Sequence, residues 1–307
     1  MKTALPESAG FIGLGVMGRP MALNLAQKIP FETDRKLLVY DLDNSKVQSL
    51  VATSAANIIP VMDIADLSRR SDIVFLSLPD SAAVEKVILG KDGLMEFLQS
   101  GSIVVDTSTT DMSRTKTIAL ELEKKGIGFI DAPVSGGEKA AIEGTLSLMA
   151  GGKKEVFDIV KPYCEAIAAS VVYMGGAGSG QAAKAVNQMI VGAAFAVIAE
   201  SFSLGLKSGL DPKVLYQAIK GGWAGSKVLD VAAIDMFNRD FKPGGTVDIH
   251  WKDLGYALSL AKGTDTPIPV TALVHEIFKA ARARGDGKKS QPAIVRLWED
   301  LLNIEIS

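Results

Sequence analysis

A glycine-rich turn, Gly13-Leu14-Gly15-Val16-Met17-Gly18, stands directly after the apolar stretch GFIG and directly before a helical stretch that opens at Arg19. The placement constrains the fold more than the letters do, because strand, tight turn and helix in immediate succession open a βαβ unit. Gly13 permits the turn, Gly15 lets the backbone approach a pyrophosphate, and Gly18 lets helix and strand pack closely. The helix N-terminus adds unpaired N–H groups and a partial positive charge, which favour an anion. The next apolar stretch ends at Asp41, 23 residues past Gly18, near the spacing of a carboxylate that binds an adenosine ribose. Its charge accepts from a 2′-hydroxyl and repels a 2′-phosphate, and Leu42 rather than an arginine follows, so NAD is expected over NADP. The segment Ile29 to Lys36 lengthens the connection, however, and Arg35, Lys36 and Lys46 stand where a phosphate would keep NADP possible.

The first half continues the alternation that a parallel sheet with crossover helices requires. Strands are expected at LLVYD (37–41), DIVFLSLP (72–79), SIVVDTS (102–108), GFIDAP (128–133), LSLMAGG (146–152) and SVVYMG (170–175), with helices at 19–28, 81–88 and 112–125. After Gly180 the strand pattern stops. A long apolar stretch from Gln181 to Lys207 reads as a helix buried on most sides, followed by helices at 212–220, 227–237, 251–262, 269–284 and 291–302. The expected class is therefore α/β: a Rossmann-type doubly wound sheet domain over 1–176, then an all-α domain over 177–307, joined by the long helix. The joint falls in GGAGSG at 175–180.

At 307 residues the chain is long for one core and comfortable as two domains. A net charge of −2 offers no basic stripe, so neither nucleic acid nor a membrane surface is an expected partner. The single cysteine, Cys164, reads as a buried structural thiol in a helix and suits a reducing, cytoplasmic setting. With two histidines and no paired cysteines, no metal site is expected.

Four motifs occur in order: FIGLGVMGRPMALNL at 11–25, DAPVSGGEKAAIEGTLSLMAGG at 131–152, GAGSGQAAKAVNQ at 176–188 and KDL at 252–254. Together they resemble the nucleotide signature, substrate loop, catalytic helix and C-terminal cofactor contact of the β-hydroxyacid dehydrogenases, in particular their 3-hydroxyisobutyrate dehydrogenase-like members. The resemblance covers nearly the whole chain and implies an NAD(P)-dependent enzyme that interconverts a small β-hydroxyacid and its semialdehyde or keto acid. YQAIKGGWAGSKVLD at 216–230 and FKPGGTVDIHWKDL at 241–254 are most similar to the members that reduce tartronate semialdehyde to D-glycerate. Other 3-hydroxyacids, 3-hydroxyisobutyrate among them, remain the alternative, as do an imine reductase or a non-catalytic dinucleotide-binding protein on the same scaffold.

Hydride transfer from an alcohol leaves a proton to be removed, and in reverse the carbonyl oxygen must be protonated. Lys184 matches the family's catalytic lysine, and its apolar neighbours AAKAV give a charge there need of a reason. Asn187 and Gln188 follow by three and four residues and share its helix face; the resemblance assigns Asn187, and less directly Gln188, to the substrate. Ser135, Gly136 and Gly137 form a loop whose backbone N–H groups suit a carboxylate. Ser108 and Thr109 correspond to the residues bordering the nicotinamide, Leu78 and Pro79 to the wall of the cofactor cleft, and Lys252 to a cofactor contact. His250 is expected to shape the loop beside Lys252, and Trp223 to line the cleft or pack in the core. The apolar helix implies association as a homodimer or homotetramer.

Overall fold

The computed structural model describes residues 8–28, 36–53 and 57–307. Arg35 and most of the connection ahead of the second strand lie outside them. The chain divides into two compact units, Met1–Lys184 and Ala185–Ser307. The division falls within the long helix, after Lys184, and the glycine-rich joint at 176/177 belongs to the first unit.

The first unit runs β1 (Ala9–Ile12), α1 (Gly18–Lys28), β2 (Leu37–Tyr40), α2 (Asn44–Thr53), β3 (Ile58–Pro60), α3 (Ile64–Arg69), β4 (Ile73–Leu76), α4 (Ser81–Leu89), α5 (Leu94–Phe97), β5 (Ile103–Asp106), α6 (Met112–Lys124), β6 (Gly128–Asp131), β7 (Val134–Ser135), α7 (Gly137–Glu143), β8 (Leu146–Gly152), α8 (Lys154–Ile167) and β9 (Ala168–Gly175). The strands form one sheet in the order β3-β2-β1-β4-β5-β6-β8-β7, with β9 on β8. Order reverses between β1 and β4, as in a doubly wound fold. From β3 to β6 all pairing is parallel, whereas β8 runs antiparallel to both β6 and β7. β1, β4 and β5 are buried along their whole length, the consequence of helices on both faces, and they read as unbroken apolar runs. Alternate residues serve opposite layers. Phe11, Phe75 and Val105 join α1 and α8 in one core, and Ile12, Val74 and Val104 join α3, α4 and α6 in the other.

The helix α9 (Ser179–Lys207) starts in the first unit and continues into the second, where α10 (Pro212–Ile219), α11 (Lys227–Phe237), α12 (Val247–Gly263), α13 (Pro269–Ala281) and α14 (Arg296–Leu302) follow. Asp211, Ser226 and Thr246 cap α10, α11 and α12 by accepting from backbone N–H groups of the first turn. With Thr246 as its cap, α12 starts at Val247, four residues ahead of the expected Trp251, so His250 is helical. The helix expected to reach Arg284 ends at Ala281, after which a π turn at Arg282–Asp286 carries Gly285 at φ 94°. The last expected helix divides into a 3-10 turn at Gln291–Val295 and α14. By length and composition α9 also suits a membrane span, yet its Phe195, Ala199 and Phe202 are core residues of this unit, packed with Leu254 and Phe278. Burial on most sides is not what it shows: Val186, Ile190, Val197 and Leu204 are exposed. A helix of mixed packing keeps an apolar face outside its own unit.

Candidate active site

The three glycines of the first turn are required for different reasons. A Cβ on Gly18 would stand 1.8 Å from the Gly13 carbonyl oxygen, and one on Gly13, at φ +96°, would stand 2.3 Å from that of Ser77. Both are fixed by the protein's own backbone. Around Gly15 nothing lies within 4 Å, so its bare face is open to a ligand. With Val16 exposed and Met17 half-buried at the start of α1, this turn fits the diphosphate of a dinucleotide. A cavity of about 550 Å³ opens beside it, lined by Gly15, Val16, Arg19, Lys46 and Glu138 among others.

Asp41 follows β2, as its spacing predicted, and serves the turn directly. Its Oδ2 accepts the Leu14 N–H at 2.6 Å, its Oδ1 accepts the Asp43 N–H at 2.8 Å, and Lys46 Nζ lies 3.7 Å away. A carboxylate has about four lone-pair sites, so capacity for ribose hydroxyls remains. Leu42 is 90% exposed. Beyond β4, the Leu78 N–H donates to Ser108 Oγ at 2.8 Å, joining two of the residues expected along the cofactor. Thr109 is half-buried and Pro79 exposed.

Lys184 is buried, 7% exposed, and its Nζ donates to the Val134 carbonyl at 2.8 Å. Val134 immediately precedes Ser135-Gly136-Gly137. These three are not the open loop expected after GFIDAP: Ser135 ends the short strand β7, and Gly137 opens α7. Both glycines have positive φ, 137° and 71°; a Cβ on Gly136 would meet Ala140, but around Gly137 there is open space. Two residues of this neighbourhood escaped the sequence reading. Asp131, fully buried, accepts the Gly178 N–H at 2.7 Å and the Gln181 N–H at 2.9 Å, and burial pushes its carboxyl up to about 6 against the pull of those N–H groups. Gln181 is 2% exposed and bonds the loop after β5. The available signal was a polar side chain at the end of an apolar strand and another inside an apolar helix.

In the second unit the candidates are linked by side chains. Asn187 Nδ2 donates to Gln188 Oε1 at 2.8 Å, and Gln188 Nε2 donates to Asp253 Oδ2 at 2.7 Å. Asp253, 3% exposed, also has Lys252 Nζ 3.2 Å from its Oδ1. Gln188 is thus engaged with Asn187 and Asp253. His250 is wholly buried in α12, its Nε2 3.1 Å from the Gln188 carbonyl and its ring stacked on Phe278, so it supports a helix and shapes no loop. Trp223 is fully exposed, which overturns core packing. Cys164 is buried in α8, and burial pushes its thiol up to about 12. Among the described residues no group of three His, Cys, Asp or Glu side chains is placed to hold a metal.

Residues 8–175 match the model of the NAD binding domain of 6-phosphogluconate dehydrogenase, and residues 178–298 that of the NAD-binding domain of NADP-dependent 3-hydroxyisobutyrate dehydrogenase. The chain is 36% identical over 300 residues to 2-(hydroxymethyl)glutarate dehydrogenase of Eubacterium barkeri, covering 97% of each. It is 36% identical over 298 residues to 2-hydroxy-3-oxopropionate reductase of Escherichia coli K12, covering 97% of this chain and 99% of that one. The chain belongs to the β-hydroxyacid dehydrogenase family. This dehydrogenase is similar in fold to the 3-hydroxyisobutyrate dehydrogenase of Salmonella typhimurium, with a TM-score of 0.84 at 26% identity, covering 94% of this chain and 99% of the other. It is an NAD(P)-dependent oxidoreductase that acts on a CH–OH donor.

Proposed function

We propose that the enzyme interconverts a small 3-hydroxyacid and its semialdehyde, with D-glycerate and tartronate semialdehyde as the first pair to test, and that Lys184 carries the proton. One observation supports this above others: the Lys184 ammonium, 50 positions away in sequence, bonds the carbonyl of Val134, next to Ser135-Gly136-Gly137. A carboxylate at the N–H groups of that segment and a reacting oxygen at Lys184 would then belong to one small molecule. The names of the two relatives at 36% identity agree with such a substrate, since in 2-(hydroxymethyl)glutarate and in 2-hydroxy-3-oxopropionate the reacting carbon is β to a carboxylate.

When bound, the nicotinamide accepts or supplies the hydride at that carbon. Lys184 donates a proton to the oxygen in the reductive direction and accepts it in the oxidative one. Asn187 hydrogen-bonds the substrate, and Gln188, held by Asp253, orients Asn187. Ser108, Thr109, Leu78, Pro79 and Lys252 contact the cofactor, and Asp41 favours NAD over NADP. Lys184→Ala is expected to lower turnover by about 10²- to 10⁴-fold while dinucleotide affinity stays nearly intact. Lost binding with surviving activity would contradict the assignment. Initial rates with D-glycerate, 3-hydroxyisobutyrate, L-serine and L-threonate, each with NAD and NADP, decide the substrate; a preference for 3-hydroxyisobutyrate would replace the first pair.

The same reading places the enzyme in the cytoplasm, where the lone thiol of Cys164 suits a reducing medium. It further pairs copies of the chain into a homodimer or homotetramer through α9, whose Val186, Ile190, Val197 and Leu204 recur at helical spacing and are 54, 67, 55 and 68% exposed. Light scattering that finds only monomer at micromolar concentration would end that part of the proposal.

A further inference from the structure

We propose that Gln181 is a positioning residue for the reaction: its carboxamide sets the distance between the loop after β5 and the helix turn that carries Lys184. The inference rests on the reading of Lys184 as the proton carrier.

Gln181 lies one helical turn before Lys184 in α9 and is 2% exposed. Its Oε1 accepts the Thr110 N–H at 3.0 Å, and its Nε2 donates to the Ser108 carbonyl at 2.9 Å. Both ends of one side chain are therefore given to the backbone of a single loop, more than 70 positions earlier in the chain. The loop passes the constraint on, because Ser108 Oγ accepts the Leu78 N–H at 2.8 Å and Thr110 Oγ1 lies 2.9 Å from Thr115 Oγ1 in α6. A continuous path of hydrogen bonds thus joins the ends of β4 and β5, both expected along the cofactor, to the turn before the ammonium.

The helix start itself has no freedom to take up slack. Asp131 holds the Gly178 and Gln181 N–H groups, and Gly180 is so close to β6 and β8 that a Cβ there would stand 2.4 Å from the Met149 carbonyl and 2.6 Å from that of Asp131. Lys184 Nζ is fixed in turn at Val134. With the helix pinned on that side and the end of β5 paired to β6, the Gln181 carboxamide is the direct side-chain link from the loop after β5 to the helix turn that carries Lys184. A buried amide is costly unless both ends are bonded, and removing it would leave the Thr110 N–H and the Ser108 carbonyl short of partners. Hydride and proton move at adjacent atoms of one substrate, so a shift of about 1 Å between the cofactor edge and the ammonium is worth as much as 100-fold in rate.

Gln181→Met keeps the length and apolar bulk without the hydrogen bonds, and Gln181→Glu keeps the acceptor for Thr110 but turns an acceptor toward the Ser108 carbonyl. In the full-length enzyme, each is expected to lower kcat per active site by roughly 10- to 100-fold, with a smaller change in KM for the hydroxyacid and a larger solvent deuterium isotope effect on kcat. A residue that merely stabilises the fold would lower the melting temperature and the fraction of active enzyme, leaving kcat per site and the isotope effect as in the wild type; that outcome in either variant that folds overturns the proposal. Lys184→Ala is measured alongside. If it retains turnover, the proton-carrier reading has failed; if it is inactive while the Gln181 variants match the wild type, the positioning role alone has failed.

Discussion

Two buried carboxylates, one in each unit, are held by opposite means. Asp131 in the sheet unit is held by peptide dipoles, the N–H groups of Gly178 and Gln181 at the start of α9. Asp286 in the helical unit, 2% exposed, is held by full charges: Arg296 at 2.5 Å, Arg284 at 2.7 Å and Lys289 at 2.8 Å. Peptide N–H groups have fixed directions and carry only partial charge, so they locate a carboxylate well and offset its desolvation incompletely, which is why burial still pushes Asp131 up to about 6. Cations on long stems offset more and locate less. The pattern extends through each unit. Strand ends and loops around Lys184 are tied to backbone groups, whereas the C-terminal segments are stapled by side-chain ion pairs, Arg282 to Asp248 at 2.6 Å, Arg284 to Asp300 at 2.5 Å and Arg239 to Glu299. Dipoles set a geometry, and charges hold helices together.

The largest break in this comparison is expected from Asp286→Ala. Removing one carboxylate takes the shared partner from Arg296 and Lys289 and leaves Arg284 with Asp300 alone, and since an uncompensated buried charge costs about 3–5 kcal/mol, that figure is the ceiling for this partly buried cluster. The π turn at Arg282–Asp286 and the joint with α14 would loosen together. All three tryptophans, Trp223, Trp251 and Trp298, belong to the helical unit, so their fluorescence in a urea titration reports this unit directly. An unchanged midpoint would mean that the ion pairs add nothing net, and that the contrast with Asp131 is one of appearance.

The same contrast explains what could be read from the chain. Gly13, Gly15, Gly18 and Asp41 were legible because the turn, the helix and the carboxylate that follows β2 are local or regularly spaced. The buried strands β1, β4 and β5 were legible because parallel strands covered on both faces are apolar without interruption. α2 and α3, the three-residue strand β3 and the short helix α7 were not, since brief elements leave little periodicity and Ser135-Gly136-Gly137 looks like a turn whether or not a helix follows. The start of α12 was missed because the β-branched run around Val247 hid a Thr246 cap. Gln181 and Asp131 stayed hidden for a deeper reason: the partners of Gln181 are the backbone atoms of Ser108 and Thr110, and those of Asp131 the start of α9, pairings that only the tertiary fold creates. The partner of Gln188, Asp253, stands 65 positions later in the chain and was hidden for the same reason.

The finer test of the comparison is the pH dependence contributed by Asp131. Its carboxyl titrates at about 6 in the folded enzyme against a reference of 3.8, so between those values the native state holds a proton that the unfolded chain has released. Its contribution to stability is therefore present below pH 3.8, falls as pH rises through the window, and is spent above about 6. At roughly 1.4 kcal/mol per pH unit the full change amounts to no more than about 3 kcal/mol. Asp43, Asp248 and Asp300, whose carboxyls are drawn below their ordinary value by hydrogen bonds from Ser45, Arg282 and Arg284, work in the opposite sense and mask it when the wild type is measured by itself, but they are common to both proteins and cancel between them. The difference between wild type and Asp131→Asn isolates it: the stability of the wild type relative to the variant should decline from pH 4 to pH 6 and then level off. Urea midpoints measured across that range give the curve. A flat difference would mean that the N–H groups of α9 offset the desolvation of Asp131 in full, and dipoles would then hold a buried charge as well as the cations around Asp286 do.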